Sequence, residues 1–137
     1  MKKLFVLRHA KSSWDHPNLS DFERPLNKRG KRVAPLMGEL ILEKNWLPET
    51  IVSSTAKRAK QTAALVKASA EIGTEIQFDR RIYEASTNSL LHIVGETADN
   101  FASIMIVGCK PAFEGLVEIL TGNSERMPSA ALAIMKL

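Results

Sequence analysis

Two apolar runs constrain the fold more than any other feature of this chain. One is SIMIVG at 103–108, and the other is LFVL at 4–7, which runs straight into Arg8-His9. Side chains of a strand point to alternate faces, so an unbroken apolar run must be covered on both of them. Between and around these runs lie segments of a different period. Residues 28–43 carry Val33, Leu36, Met37, Leu40 and Ile41 at helical spacing, with Pro35 expected to bend the helix. TIVSS at 50–54 reads as a short strand, and Ser54 or Thr55 is placed to cap a helix over about 56–70. EIQFD at 75–79 alternates like a strand, 87–96 reads as a short helix, and ALAIMKL at 131–137 reads as a last strand. Pro111 suits the first turn of a helix whose stripe is Phe113, Leu116, Val117 and Leu120. Residues 10–27 are polar, contain Pro17 and Pro25, and read as a long loop. Strands alternating with helices predict an α/β fold with a mostly parallel central sheet flanked by helices. Ligands of such sheets sit at the carboxyl ends of the strands.

The bulk numbers narrow the class. At 137 residues the chain has the length of one domain, 1–137, and can bury roughly two-thirds of its unfolded surface. The single cysteine, Cys109, excludes an internal disulfide and fits a reducing, cytoplasmic setting. No apolar run approaches the ~20 residues of a membrane-spanning helix, so no membrane partner is expected. MKKLFVLRH begins like a signal peptide, but its apolar run is short and ends in Arg8-His9, so it reads as a first strand. The net charge of +4 favours anionic partners, and part of the excess lies in NKRGKRVAP at 27–35, read as a solvated helix face. A nucleic-acid partner is not expected. No zinc-finger spacing or RNA-binding aromatic motif accompanies the charge, and aromatics make up only 6% of the chain.

Three predicted strand-to-helix junctions carry chemistry-bearing side chains. Arg8, His9, Lys11 and Ser12 follow the first strand, Arg58 opens the helix after TIVSS, and Cys109 and Lys110 follow SIMIVG. In a parallel sheet all three meet at one edge. Arginines, lysines and free helix amides converging there make a phosphate site by charge and geometry together. Arginine suits it because its planar fork holds two oxygens at once. His9 is the candidate nucleophile, since a neutral imidazole can attack phosphorus and carry a phosphoryl group. The arginines would then stabilise the charge on the transferring group. The scheme needs no metal or other cofactor, and His16 and His92 do not combine with His9 in a metal-ligand spacing.

The segment RHAKSSW resembles the RHG signature of the histidine phosphatase superfamily. The wider pattern is similar to its small SixA-type phosphohistidine phosphatases: LRHAKSSW (7–14), ERPLNKRG (23–30), SSTAKRAKQTA (53–63), IYEA (82–85) and VGCKP (107–111), in the family's order. The resemblance implies a three-layer, phosphoglycerate mutase-like fold. It makes His9 the phosphorylated nucleophile and Arg8 and Arg58 the phosphate-binding pair. Glu84 falls near the position of the proton-donating acid of many relatives, or is a surface glutamate. Ser12 contacts the phosphate through its hydroxyl or bonds the loop backbone instead. Asn27, Arg29 and Gly30 fall at a helix start bordering the pocket, where capping is the simpler role. The implied partner is a phosphorylated protein carrying phosphohistidine, or a small phosphorylated substrate.

One piece departs from the family's pattern. Relatives read VGHNP where this chain reads VGCKP, so Cys109 stands where the second catalytic histidine is expected and Lys110 replaces an asparagine. A thiol is a weak donor. Lys110 restores charge to the phosphate site, but as a flexible point rather than a fixed donor. Losing one preorganised donor costs on the order of 100- to 1000-fold in rate. Cys109 is not expected to be the nucleophile of a Cys-x5-Arg loop, because Gly115 occupies the arginine position. Relatives usually continue somewhat beyond the point matching Leu137, so this copy is expected to be the shorter, with one sheet edge or pocket wall left open by the sequence. Two readings follow: a phosphatase of reduced activity, or a descendant that binds phosphate or phosphoprotein without turnover.

Overall fold

The computed structural model of the protein describes residues 2–109 and 112–137. Its strands are β1 (Lys3–Arg8), β2 (Thr50–Ser53), β3 (Ile76–Phe78), β4 (Ser103–Gly108) and β5 (Leu132–Lys136). The helices are α1 (Lys28–Glu43), α2 (Lys57–Ser69), α3 (Thr87–Ala98) and α4 (Ala112–Thr121). The sheet order is β3-β2-β4-β1-β5. β1 to β4 run parallel, and β5 closes one edge antiparallel to β1.

The apolar runs lie where their composition demands. β1 and β4 are neighbours in register from Lys3 opposite Ser103 to Arg8 opposite Gly108. Their side chains divide with period two. Phe5, Leu7, Met105 and Val107 join a core with Ile41 of α1 and Ala59, Ala63 and Val66 of α2. Leu4, Val6, Ile104 and Ile106 join a second core with Leu90 and Ile93 of α3 and Phe113 and Leu116 of α4. Helices therefore cover both faces, which gives the expected three-layer α/β architecture. Burying the eight apolar side chains of this central pair contributes about 1.5–3 kcal/mol each.

Local details depart from expectation in one place. Neither Ser54 nor Thr55 caps α2: the cap residue is Ala56, with no side-chain capping bond. Ser54 Oγ instead accepts from the Ala56 N–H at 3.2 Å, one residue before the helix begins. Pro35 leaves α1 unbroken across Lys28–Glu43. Pro111 lies outside the described residues.

Candidate functional site

The carboxyl ends of the parallel strands come together as the topology requires. The His9 N–H donates to the Gly108 carbonyl at 2.8 Å, and the Ser54 N–H donates to the Val107 carbonyl at 2.9 Å. These bonds fasten the residues just beyond β1, β4 and β2 into one edge. The loop after β1 is anchored by α1 on one side. Asn27 caps α1, its side chain accepting from the Gly30 N–H at 2.8 Å. A Cβ on Gly30 would collide with the Lys11 carbonyl oxygen, so only glycine lets α1 approach the loop this closely. On the other side, the Ala10 N–H donates to Thr62 Oγ1 of α2 at 3.0 Å.

His9 is 5% exposed. Its Nδ1 stands 2.7 Å from the Ala10 carbonyl oxygen. A carbonyl can only accept, so Nδ1 carries the proton and Nε2 keeps its lone pair. Among the described residues Nε2 has no hydrogen-bond partner. Burial pushes the imidazole pKa down to about 4; the Ala10 bond opposes this, while the charges of Arg58, Arg8 and Arg24 add to it. His9 is thus neutral at pH 7, with its tautomer fixed and one nitrogen free. That is the form a nucleophile needs.

Arg58 rises from the first turn of α2 and is 5% exposed. Its Nη1 donates to the Asp21 carbonyl at 2.7 Å and its Nη2 to Asp21 Oδ2 at 3.0 Å. Nη2 also lies 3.8 Å from Cys109 Sγ. Arg8 donates through Nη1 to the Met127 carbonyl at 2.9 Å. The Nε atoms of both arginines are buried donors with no partner.

Asp21, in the single-turn helix Asp21–Glu23 of the long loop, is the hub of this edge. Beyond its two bonds from Arg58, it accepts from Tyr83 OH at 2.8 Å and from Arg24 Nε and Nη2 at 3.3 and 3.1 Å. Partial burial works to raise its pKa. The hydrogen bonds from Tyr83 and Arg24 and the charge of Arg58 outweigh that and hold the carboxyl below the usual range. Arg24 in turn donates to Ser12 Oγ at 2.9 Å and to the Ser13 carbonyl at 3.2 Å, and it stacks on Trp14 with its guanidinium carbon 3.6 Å from the ring centre.

A cleft of about 410 Å³ opens on this edge, lined by Asp21, Arg58, Ile82, Tyr83, Glu84, Ala85, Cys109 and Ala112. It brings together three of the residues singled out in the sequence: Arg58, Cys109 and Glu84. Arg8 and His9 stand at the adjoining end of β1. Ser12 is held by Arg24 away from the cleft lining. Lys110 lies outside the described residues. Asp21, Arg24 and Tyr83 were missed by sequence reasoning. The signal for them was the acid–base pair Asp21 and Arg24 at i,i+3, and the tyrosine within IYEA, where only the glutamate drew attention. Chemically, the edge offers a neutral imidazole, guanidinium donors, a thiol and carboxylates around a space that fits a small anion.

Comparison with known proteins bears on the family and the fold. A profile of the histidine phosphatase superfamily (branch 1) matches residues 4–103. An uncharacterized chloroplastic protein of Arabidopsis thaliana is 28% identical over 98% of this chain, which spans 66% of that relative's length. The crystal structure of a putative phosphohistidine phosphatase SixA from Agrobacterium tumefaciens superposes with a TM-score of 0.92 at 28% identity, covering 98% of this chain and 91% of that one. The protein histidine phosphatase SixA complexed with tungstate shares the fold, with a TM-score of 0.88 at 22% identity over 98% of this chain and 88% of that one.

Proposed function

Because the chain belongs to the histidine phosphatase superfamily, we propose that it is a SixA-type phosphatase in which His9 takes a phosphoryl group from phosphohistidine, or from a similar small phosphorylated compound, and passes it to water. The observation that carries this reading is the state of His9: buried, neutral, and fixed by its Nδ1 bond to the Ala10 carbonyl so that Nε2 is the nucleophilic nitrogen. The bond from Nε2 to phosphorus forms as the bond from phosphorus to the leaving nitrogen breaks. The electron pair stays on the leaving nitrogen, which takes a proton from solvent or from Glu84. Water then attacks phosphorus, the bond to Nε2 breaks, and inorganic phosphate leaves. Arg8 and Arg58 stabilise the phosphoryl oxygens in both steps, and their buried Nε donors suit that role. Tungstate in a fold neighbour is an oxyanion of the same shape as phosphate, which fits an anion at this edge.

Cys109 makes this a weakened site. Its thiol is a poor donor to a phosphoryl oxygen, and it lies beside Arg58 rather than supplying a second imidazole. Imidazole is a better leaving group than an alkoxide, so a phosphoramidate tolerates the loss best. Lys110 belongs to the phosphate-binding set in this reading, and Ser12 reaches the phosphate only if Arg24 releases it. A cytoplasmic protein with phosphohistidine is the natural partner, and the free thiol suits that compartment. Cys109 also favours a second reading, a module that binds phosphate or phosphoprotein without turnover.

Phosphate release from a phosphohistidine peptide separates the two. The first reading expects turnover by the unmodified chain, loss of it in His9→Ala, and an increase on the order of 100-fold in Cys109→His. An inert unmodified chain with an active Cys109→His supports the binding module. Turnover unchanged in His9→Ala overturns the proposed chemistry.

A further inference from the structure

Asp21 stands in the way of the proposed reaction as much as it serves it. Both terminal nitrogens of Arg58, the donors a phosphoryl group needs, are taken by this one residue, through its carbonyl and through Oδ2. The arginine side chain is 6% exposed and the aspartate side chain 48%, so Arg58 is the fixed partner and Asp21 the one that faces solvent. A phosphoryl dianion offers a guanidinium more than a carboxylate does and takes over Arg58 when it binds.

What remains after that exchange determines the inference. Asp21 Oδ1 keeps its two bonds from Arg24, and Oδ2 keeps its bond from Tyr83 OH. Tyr83 is itself held edge-on against Phe22, with ring centres 5.0 Å apart at 79°. The carboxylate therefore stays at the cleft wall and is not expelled, with a lone pair of Oδ2 released from Arg58. Residues 14–21 are all exposed, so a small shift of the turn that carries Asp21 would leave the core undisturbed. Glu84 lines the same cleft. Among the described lining residues, two carboxylates and a phenol accompany a single arginine. Once the phosphoryl group has satisfied that arginine, Asp21 Oδ2 and the Glu84 carboxylate remain at the cleft as acceptors, while Asp21 Oδ1 stays paired with Arg24.

Resting on the phosphatase reading above, we propose that Asp21 is the residue that recognises the leaving group. With Arg58 given over to the phosphoryl oxygens, Asp21 accepts a hydrogen bond from a positively charged leaving-group nitrogen, and so selects phosphorylated imidazoles, guanidines or amines over phosphate esters, whose leaving oxygen carries neither charge nor proton. Its carboxyl stays ionised through the neutral range, because its hydrogen bonds hold the pKa low. An ester oxygen has no proton to give it, and an acidic leaving group is repelled.

Two small probes isolate the effect. Phosphoramidate carries an ammonium nitrogen on its phosphoryl group at neutral pH. Methyl phosphate has the same phosphoryl group and shape without the positive charge. Calorimetric titration of both, in a His9→Gln background that cannot turn over and in the unmodified chain before turnover, gives a preference ratio. The expected ratio favours phosphoramidate. It falls about tenfold in Asp21→Asn, the size of one charge-assisted hydrogen bond in a half-exposed cleft, and is largely retained in Asp21→Glu. A merely structural role for Asp21 weakens both probes equally. Binding of both probes with a ratio unchanged in Asp21→Asn overturns this inference and leaves the phosphate site standing. No binding of either probe, or binding unaffected by Arg58→Ala, overturns the phosphate site itself and the inference with it.

Discussion

At the scale of single residues, the proposed chemistry depends on the protonation of His9. Its folded pKa of about 4 lies below the unfolded value of about 6.5, so the native state binds fewer protons than the unfolded chain between these values. The stability that follows from this is fully present above pH 6.5 and is lost as pH falls toward 4. Between pH 7 and pH 5 the loss amounts to about 2 kcal/mol, because the unfolded imidazole gains about 1.4 kcal/mol of protonation free energy for each pH step below 6.5 while the folded one stays neutral. Urea unfolding of the unmodified chain and of His9→Gln at both pH values checks this: the loss attributable to His9 is absent from the variant. An equal pH dependence in both proteins shows that His9 titrates normally. The same imidazole keeps its nucleophilic form down to about pH 4, so kcat/KM carries no acid limb from His9 near 6.5. His9, Arg8 and Arg58 were singled out in the sequence because the strand-to-helix junctions of a parallel sheet gather at one edge. Asp21 was not, because its importance comes from three partners, Arg24, Arg58 and Tyr83, that only the folded loop brings to it.

At the scale of elements, sequence reasoning located the strands and helices to within a few residues. The apolar periods of β1, β4, α1 and α4 are unbroken, and such periods are the strongest local signal. The start of α2 was misread because Ser54 bonds the backbone two residues on, forming a turn before the helix rather than capping it. The start of α1 shows the opposite case. Asn27 caps it as its residue type suggests, while the role of Gly30 depends on the Lys11 carbonyl, far off in local pattern. Gly30→Ala forces α1 away from the loop that follows His9. The expected outcome is a destabilisation of about 1–3 kcal/mol in thermal or chemical unfolding, together with a fall in activity, because the loop carries the bond that fixes His9. A fully active, fully stable Gly30→Ala variant shows that the helix start is not what holds the loop.

At the scale of the whole molecule, the sheet order is what makes a site of scattered residues. β1 lies beside β4, and β4 beside β2, so residues 9, 58 and 109 meet although about fifty positions separate each from the next. The parallel centre was predictable from the alternation of strands with helices; the antiparallel turn of β5 was not, because a strand's direction leaves no trace in its own period. Family membership, the neutral buried imidazole and the paired arginines converge on one central claim, that His9 carries the phosphoryl group. Rapid mixing of the unmodified chain with a phosphohistidine peptide, quenching in alkali and tandem mass spectrometry test it directly. The expected result is a phosphoryl group on His9, attached at Nε2, absent in His9→Ala and accumulating before phosphate is released. A phosphoryl group on Cys109 or on no residue, with release continuing in His9→Ala, contradicts it.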